Sequence, residues 1–283
     1  MREIQAGGYS PTIKKRALSR KLVALREQCG MTTSEVCKRL HWSPSKLNYI
    51  EKAKWIDPNS DSVADLCELY GVDGADRDAL IRLTREARQR GWWRKYNDVF
   101  TSELPGFEAG ASSIRTFQNT VVPGLLQVPE YIEMITRIAG IEEPAEIKRR
   151  TDARLERQKI LLRDQRSCHL HAVVDEHVLL RIGDKGVRSA QIAHLLKLAQ
   201  RPNVEVQVIP LEKGLYPGAG ETFTCLMFPD STERDIVYLE TTVDGRMLEE
   251  PDELERYMVR FDRLRTVAMD FEATRAYLAR QIE

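Results

Sequence analysis

Residues 31–54 gather hydroxyl, amide and amine side chains at close spacing: Thr32, Thr33, Ser43, Ser45, Lys46, Asn48, Tyr49, Lys52 and Lys54, with Pro44 among them. Short polar donors interleaved with lysines suit hydrogen bonding to the phosphates and base edges of a nucleic acid. A second group, Cys168, His169, His171, Asp175, Glu176 and His177, offers metal-ligating residue types. On a strand, His169 and His171 share a face that Cys168 does not, and no Cys-x-x-Cys or His-Glu-x-x-His accompanies them. They read as strand residues followed by a carboxylate, Asp175 or Glu176, that caps the next helix. No phosphate-binding loop, nucleophile elbow or kinase motif occurs, and Pro123-Gly124 and Pro217-Gly218 read as turns. The expectation is therefore no enzyme, no cofactor and no metal.

The first group needs short helices joined by a tight turn, and the surrounding pattern supplies them. Residues 1–12 carry Gly7, Gly8 and Pro11 without periodicity and are expected to form a flexible arm. From Ile13, Ala17, Leu18, Leu22 and Leu25 recur at helical spacing, and Gly30 ends the helix. Thr32 with Glu35 three residues later is a capping box, and Val36, Cys37 and Leu40 give a second helix its buried stripe, ending near His41. Ser43 caps a third helix with Pro44 at its first position; Leu47 and Ile50 point inward, leaving Ser45, Lys46, Asn48, Tyr49 and Lys52 outside. A fourth helix carries Val63, Leu66, Cys67 and Leu69, and a fifth, near residues 76–89, carries Leu80, Ile81 and Leu83.

This is the spacing of a helix-turn-helix, in which one helix enters the major groove while its predecessor braces across the backbone. Lys46 can donate to guanine, Ser45 to either kind of base, and Tyr49 can pack on a thymine methyl or reach a phosphate. Thr32, Thr33 and Ser43 stand at helix N-termini suited to phosphate oxygens, and Lys52 and Lys54 to neutralising backbone charge. Charge agrees: residues 1–56 hold 12 Lys or Arg against 4 Asp or Glu, 12 − 4 = +8, so in a chain of net charge zero the remainder carries −8. A basic module on an acidic body expects its polyanion at one end.

Beyond Gly91-Trp92-Trp93 the texture changes. A Pro/Gly-punctuated stretch precedes a charged helix near 145–163; strands are expected at 167–174, 204–209, 222–228 and 236–242, a helix near 192–198, and two helices at the end, one with Leu254, Tyr257, Phe261 and Leu264 along a face. Strands and helices mix without a strict βαβ rhythm. The expected fold is therefore α+β, an all-α five-helix, repressor-like domain at 13–90 followed by a larger mixed domain at 91–283 for regulation and dimerisation. Trp92, Trp93, Tyr96 and Phe100 read as hinge core between the domains, with an aromatic ligand wall as the alternative. The five scattered cysteines read as reduced core thiols. No apolar run reaches the roughly 18–20 residues of a membrane span, and residues 1–15 lack a signal-peptide core, so a cytoplasmic, nucleoid-associated protein is expected.

Residues 31–54 resemble the helix-turn-helix of phage-repressor-like (XRE family) regulators, with Thr32, Leu40, Ser43, Leu47, Ile50 and Glu51 at matching positions. Three positions depart: Thr33 replaces the family's Gln, His41 the turn Gly, and Ala53 the Gly after the reading helix. His41 must then adopt a left-handed conformation that Gly takes freely. Further on, Gly91-Trp92-Trp93, residues 111–117 and 122–127, Tyr131, Arg154, Arg157 and Gln158, and residues 170–176, 202–210 and 237–240 resemble the C-terminal domain of unknown function found behind such a helix-turn-helix in actinobacterial regulators. The resemblance implies an antitoxin-like transcriptional regulator paired with a small protein encoded nearby. The expectation is a homodimer on operator double-stranded DNA, modulated through the C-terminal domain by a small protein or ligand. The alternative is an antitoxin-like protein whose main role is to sequester that small partner.

Overall fold

The computed structural model describes residues 10–100, 102–163, 168–229, 233–240 and 245–282. The chain divides into two compact units between Lys95 and Tyr96. The boundary expected after residue 90 moves because a short 3-10 turn, Trp92–Tyr96, carries the chain on and leaves Trp92 and Trp93 with the helical unit.

In the N-terminal unit α1 spans Pro11–Gln28. It starts earlier than Ile13 because the Ser10 side chain accepts from the Ile13 N–H and Pro11 takes the first helical position, where it needs no donor. Ser10, Pro11 and Thr12 are buried, so these residues are not part of an arm; residues 1–9 lie outside the described chain. Gly30, at φ +64°, ends the helix, with the Met31 N–H returning to the Arg26 carbonyl and the Gly30 N–H to that of Glu27. Helices α2 (Thr33–Leu40), α3 (Pro44–Glu51), α4 (Ser60–Leu69) and α5 (Gly74–Arg88) follow. Their inward residues, among them Leu18, Leu22, Val36, Leu47, Ile50, Val63, Leu66 and Leu80, form one buried core with Trp55 from the segment between α3 and α4.

The C-terminal unit is α+β, as expected. It begins with α6 (Leu104–Gly110) and β1 (Ser113–Gln118), then α7 (Pro129–Ile138) and α8 (Pro144–Gln158). Next come β2 (His169–Asp175), α9 (Glu176–Leu180), α10 (Lys185–Leu198), β3 (Val204–Ile209), β4 (Phe223–Met227), β5 (Ile236–Glu240) and β6 (Gly245–Leu248). Helices α11 (Pro251–Val267) and α12 (Phe271–Arg280) end the chain. The α8 helix stops at Gln158 and runs into a 3-10 turn, short of the expected residue 163. Of the expected strand positions, Ser167, Thr241 and Thr242 lie outside the described residues.

The six strands form one sheet in the order β3-β2-β1-β4-β5-β6. Strands β1, β2 and β3 are parallel, with Ile114 opposite Leu170 and Leu170 opposite Val204, whereas β4, β5 and β6 run antiparallel as a meander from β1. A βαβαβ segment is thus present that the sequence did not reveal, because β1 carries Ser113, Arg115, Thr116 and Gln118 and lacks an apolar alternation. One sheet face buries Phe117, Val173, Cys225 and Val237 against Phe261 and Leu264 of α11. On the other face Ile114, Thr116 and Gln118 look into a cavity.

Four cysteines are buried, but Cys29 is exposed, since it follows α1 beyond the last core-facing turn. It is not the core thiol expected. The aromatic residues Trp92, Trp93, Tyr96 and Phe100 make two edge-to-face pairs, Trp92 with Trp93 and Tyr96 with Phe100.

Candidate nucleic-acid interface

Helix α2 is fixed by its first residues. The Thr32 hydroxyl oxygen accepts from the Glu35 N–H at 3.2 Å, while a Glu35 carboxylate oxygen accepts from the Thr32 N–H and hydroxyl, both at 2.8 Å. Two orphan donors are satisfied reciprocally, and the Thr32 hydrogen bonds hold the Glu35 carboxyl below its ordinary pKa. The same carboxylate sits where a phosphate oxygen was expected. Thr33, beside it, is exposed and among the described residues its side chain makes no hydrogen bond, so it is the freer of the two threonines.

The turn into α3 passes through His41 at φ +54°, with the Trp42 N–H closing on the Cys37 carbonyl at 2.9 Å. Ser43 then caps α3, accepting from the Lys46 N–H at 3.2 Å; its hydroxyl proton remains available to a phosphate. Pro44 occupies the first helical position. Leu47 and Ile50 are buried, and Ser43, Pro44, Ser45, Lys46, Asn48, Tyr49, Lys52 and Lys54 are all exposed. Tyr49 keeps about half its surface, 53%, in solvent, unusual for a ring with an apolar body. The Lys46 ammonium is folded back over the Trp42 ring, 3.5 Å from its centroid. A lysine that reads a base from here must first leave that ring, at a cost of about 0.5–1 kcal/mol for an exposed cation–π contact.

Two residues that the sequence did not single out, Ser19 and Arg26, hold α3 in place. The Ser19 hydroxyl on α1 donates to the Ile50 carbonyl at 2.5 Å, satisfying a C-terminal carbonyl of α3 inside the core. Arg26 grips Glu51 through two bonds, Nε to Oε1 at 2.6 Å and Nη2 to Oε2 at 3.3 Å, and donates from Nη1 to the Met31 carbonyl at 3.0 Å. Both side chains of the pair are about seven-eighths covered, at 13% and 14% exposure. One guanidinium thereby fastens the end of α3 to α1 and to the entry of α2. The hydrogen bonds it donates to Glu51, with that carboxylate's charge, raise the Arg26 pKa against the opposing effect of burial. Glu51 therefore serves the framework, and its appearance in the motif is explained without a DNA contact. Helix α3 ends through Ala53 at φ +53°, where the Ala53 N–H returns to Ile50 and the Lys54 N–H to Tyr49. Among the described residues, His41 and Ala53 are the two non-glycine positions with positive φ. Both stand where the resemblance expects glycine.

In the C-terminal unit Asp175 caps α9, accepting from the His177 N–H at 3.2 Å and from its ring Nδ1 at 2.6 Å, with Tyr216 donating to the other oxygen. Glu176 accepts from the Leu211 N–H and the Tyr277 hydroxyl. His171 is buried beside Gln207, His169 is exposed and Cys168 is buried. Among the described residues no group of three His, Cys, Asp or Glu side chains could hold a metal ion.

A short capped helix, a tight turn and a second capped helix with a polar outer face make the N-terminal unit a helix-turn-helix, the DNA-binding module of regulators. Residues 17–80 match the family described as Helix-turn-helix domain. Residues 101–280 match the family described as Domain of unknown function (DUF5753), and the chain belongs to that family. No curated protein and no solved structure matches the chain. No helix among the described residues is long and apolar enough to cross a membrane.

Proposed function

We propose that the protein is a transcriptional regulator of the phage-repressor-like kind that binds its operator as a homodimer, with the C-terminal domain as the regulatory half. The observation that carries this reading is α3. It is pinned to α1 by Ser19 and by the Arg26–Glu51 fork, yet it leaves Ser45, Lys46, Asn48 and Tyr49 exposed. A helix held that firmly with a polar, unpacked face is suited to reading a groove. In this reading Ser45, Lys46, Asn48 and Tyr49 meet base edges, and Thr33, Ser43, Lys52 and Lys54 meet phosphates. Thr32 contributes by shaping the end of α2. One eight-residue helix offers few base contacts, so two-fold pairing on half-sites supplies the remaining specificity. We read the C-terminal domain as a sensor and not as an enzyme; the buried carboxylate in its cavity, Glu108, is tied up in an ion pair and so is poorly placed for proton transfer.

Fluorescence anisotropy with DNA from upstream of the protein's own gene, against random duplex at physiological salt, tests the reading. Lys46→Ala is expected to cost about 1–3 kcal/mol and to relax specificity, while Lys52→Ala weakens all sequences alike and lowers the salt slope by about one unit. No preference over random DNA, or equal effects from the two variants, refutes it. A small partner protein that co-purifies in stoichiometric amount and ignores operator would favour the sequestering role instead.

A further inference from the structure

The cavity on the sheet's open face has a volume of about 340 Å³, within the size range of small-molecule sites. Its floor is strands β1, β4 and β5, and its wall is α8, which turns Arg150, Arg154 and Arg157 toward it at i, i+4 and i+7. Two of these arginines are neutralised locally. Arg157 forms a fork with Glu108, whose side chain is only 2% exposed, and Arg150 pairs with Glu146 one turn back at 2.6 Å. Among the described residues Arg154 has no such partner: its one hydrogen bond there runs from Nη1 to the Gln127 side-chain oxygen at 3.2 Å, and no carboxylate lies within ion-pair distance.

The surroundings are built to hold this arrangement. The buried loop from Val122 to Val128 would strand its peptide groups, but three glutamines satisfy them: Gln158 donates to the Gly124 and Gln127 carbonyls, Gln127 to Val122, and Gln191 bridges Leu126 and Val128. Gln127 is thereby fixed, and through it the Arg154 head. At Gly124 an added Cβ would lie 3.1 Å from an Arg157 nitrogen, so the loop approaches the arginines as closely as a side chain permits. Burial, together with repulsion from Arg157, lowers the Arg154 pKa, and the pull of Glu240 only partly offsets this. A half-buried guanidinium with four unused N–H donors, facing an open cavity, is the arrangement that a bidentate anion completes.

We propose that this cavity is the binding site of a small organic anion whose carboxylate or phosphate group docks on Arg154. That the ligand is the regulator's signal rests on the function proposed above; that the site binds an anion does not. Melting of the full chain is followed with sodium phosphate and with sodium acetate, each against sodium chloride at equal ionic strength. Expected is a saturable rise of several degrees with phosphate or acetate beyond that given by chloride, lost in Arg154→Met and weakened at least threefold in apparent affinity in Arg154→Lys. The more effective salt tells phosphate from carboxylate. In the absence of anion, Arg154→Met should melt no lower than the parent, since it removes a half-buried charge that, among the described residues, has no ion-pair partner. An equal anion response in parent and Arg154→Met, or no response in the parent, overturns the site. Should Arg154→Met fold poorly, Arg154→Lys decides alone: an undiminished response overturns the proposal. Operator binding measured with and without the effective anion separates the two claims. A bound anion that leaves DNA affinity unchanged refutes the signalling role and leaves the site standing.

Discussion

Replacing Ala53 by glycine should stabilise the helix-turn-helix unit. Ala53 sits at φ +53° at the end of α3, with its N–H on the Ile50 carbonyl at 3.1 Å and the next N–H on Tyr49 at 2.9 Å. Those bonds fix the left-handed conformation, which costs an L-residue about 1–2 kcal/mol. Glycine removes that cost but gains freedom in the unfolded chain, giving back about 0.4–1 kcal/mol. The net gain is therefore roughly 0.5–1 kcal/mol, which for a domain of this size is a rise of about 2–8 °C in Tm. All four tryptophans, Trp42, Trp55, Trp92 and Trp93, belong to this unit, so tryptophan fluorescence follows its melting selectively. His41→Gly should gain less despite a similar φ of +54°, because histidine tolerates the left-handed region better than alanine. Ala53→Val should lose stability, a β-branched side chain being the worst choice there. A lower Tm for Ala53→Gly, or a Val variant as stable as the parent, would refute the conformational argument.

Arg26→Ala removes one partner of a largely covered fork and should cost about 2–4 kcal/mol, somewhat below the range for fully buried pairs, with operator affinity falling in parallel; Arg26→Lys should be intermediate in both tryptophan-detected melting and DNA titration. Thiol labelling of the native protein should modify Cys29 alone, because the other four are buried and burial pushes the Cys168 and Cys225 thiols up to about 12; mass spectrometry should find five labels after denaturation. Burial also lowers the pKa values of His171 and His194, so the unfolded chain takes up their protons more readily than the folded one. Calorimetry should find the contribution of these two histidines fully present at neutral pH and lost as pH falls through about 6.5 toward their lower folded values, and His171→Gln with His194→Gln should flatten that slope.

The helix-turn-helix was legible because its determinants are local. Thr32 and Glu35 bond to each other three residues apart, Ser43 to the Lys46 N–H, and Pro44 needs no partner, so each helix start is encoded within one turn of chain. Even the strained turn at His41 showed in the sequence as a missing glycine. What stayed hidden are the ties across the core: Ser19 to Ile50 over 31 residues and Arg26 to Glu51 over 25. No periodicity signals such a pair, because a serine on a buried helix face looks like any other small residue until its carbonyl partner is known.

The C-terminal unit was harder to read for a related reason that bears on its function. Strand β1 escaped notice because Thr116 and Gln118 stand where an ordinary buried strand would place valine or isoleucine. Those substitutions make sense once the strand is seen as the floor of a polar cavity. The same holds for α8, legible in sequence only as a charged helix: that its Arg157 covers Glu108, 49 residues away, no local pattern shows. Local rules fail here at the positions where the chain departs from building a core, and such departures concentrate at sites that do something besides fold. Arg154 is the sharpest case. A fold needing only stability would place an apolar residue there or give the guanidinium a carboxylate, as it does for Arg150 and Arg157. Keeping a third arginine half-buried and, among the described residues, without a carboxylate is unfavourable by itself, and an anion entering the cavity offsets that cost.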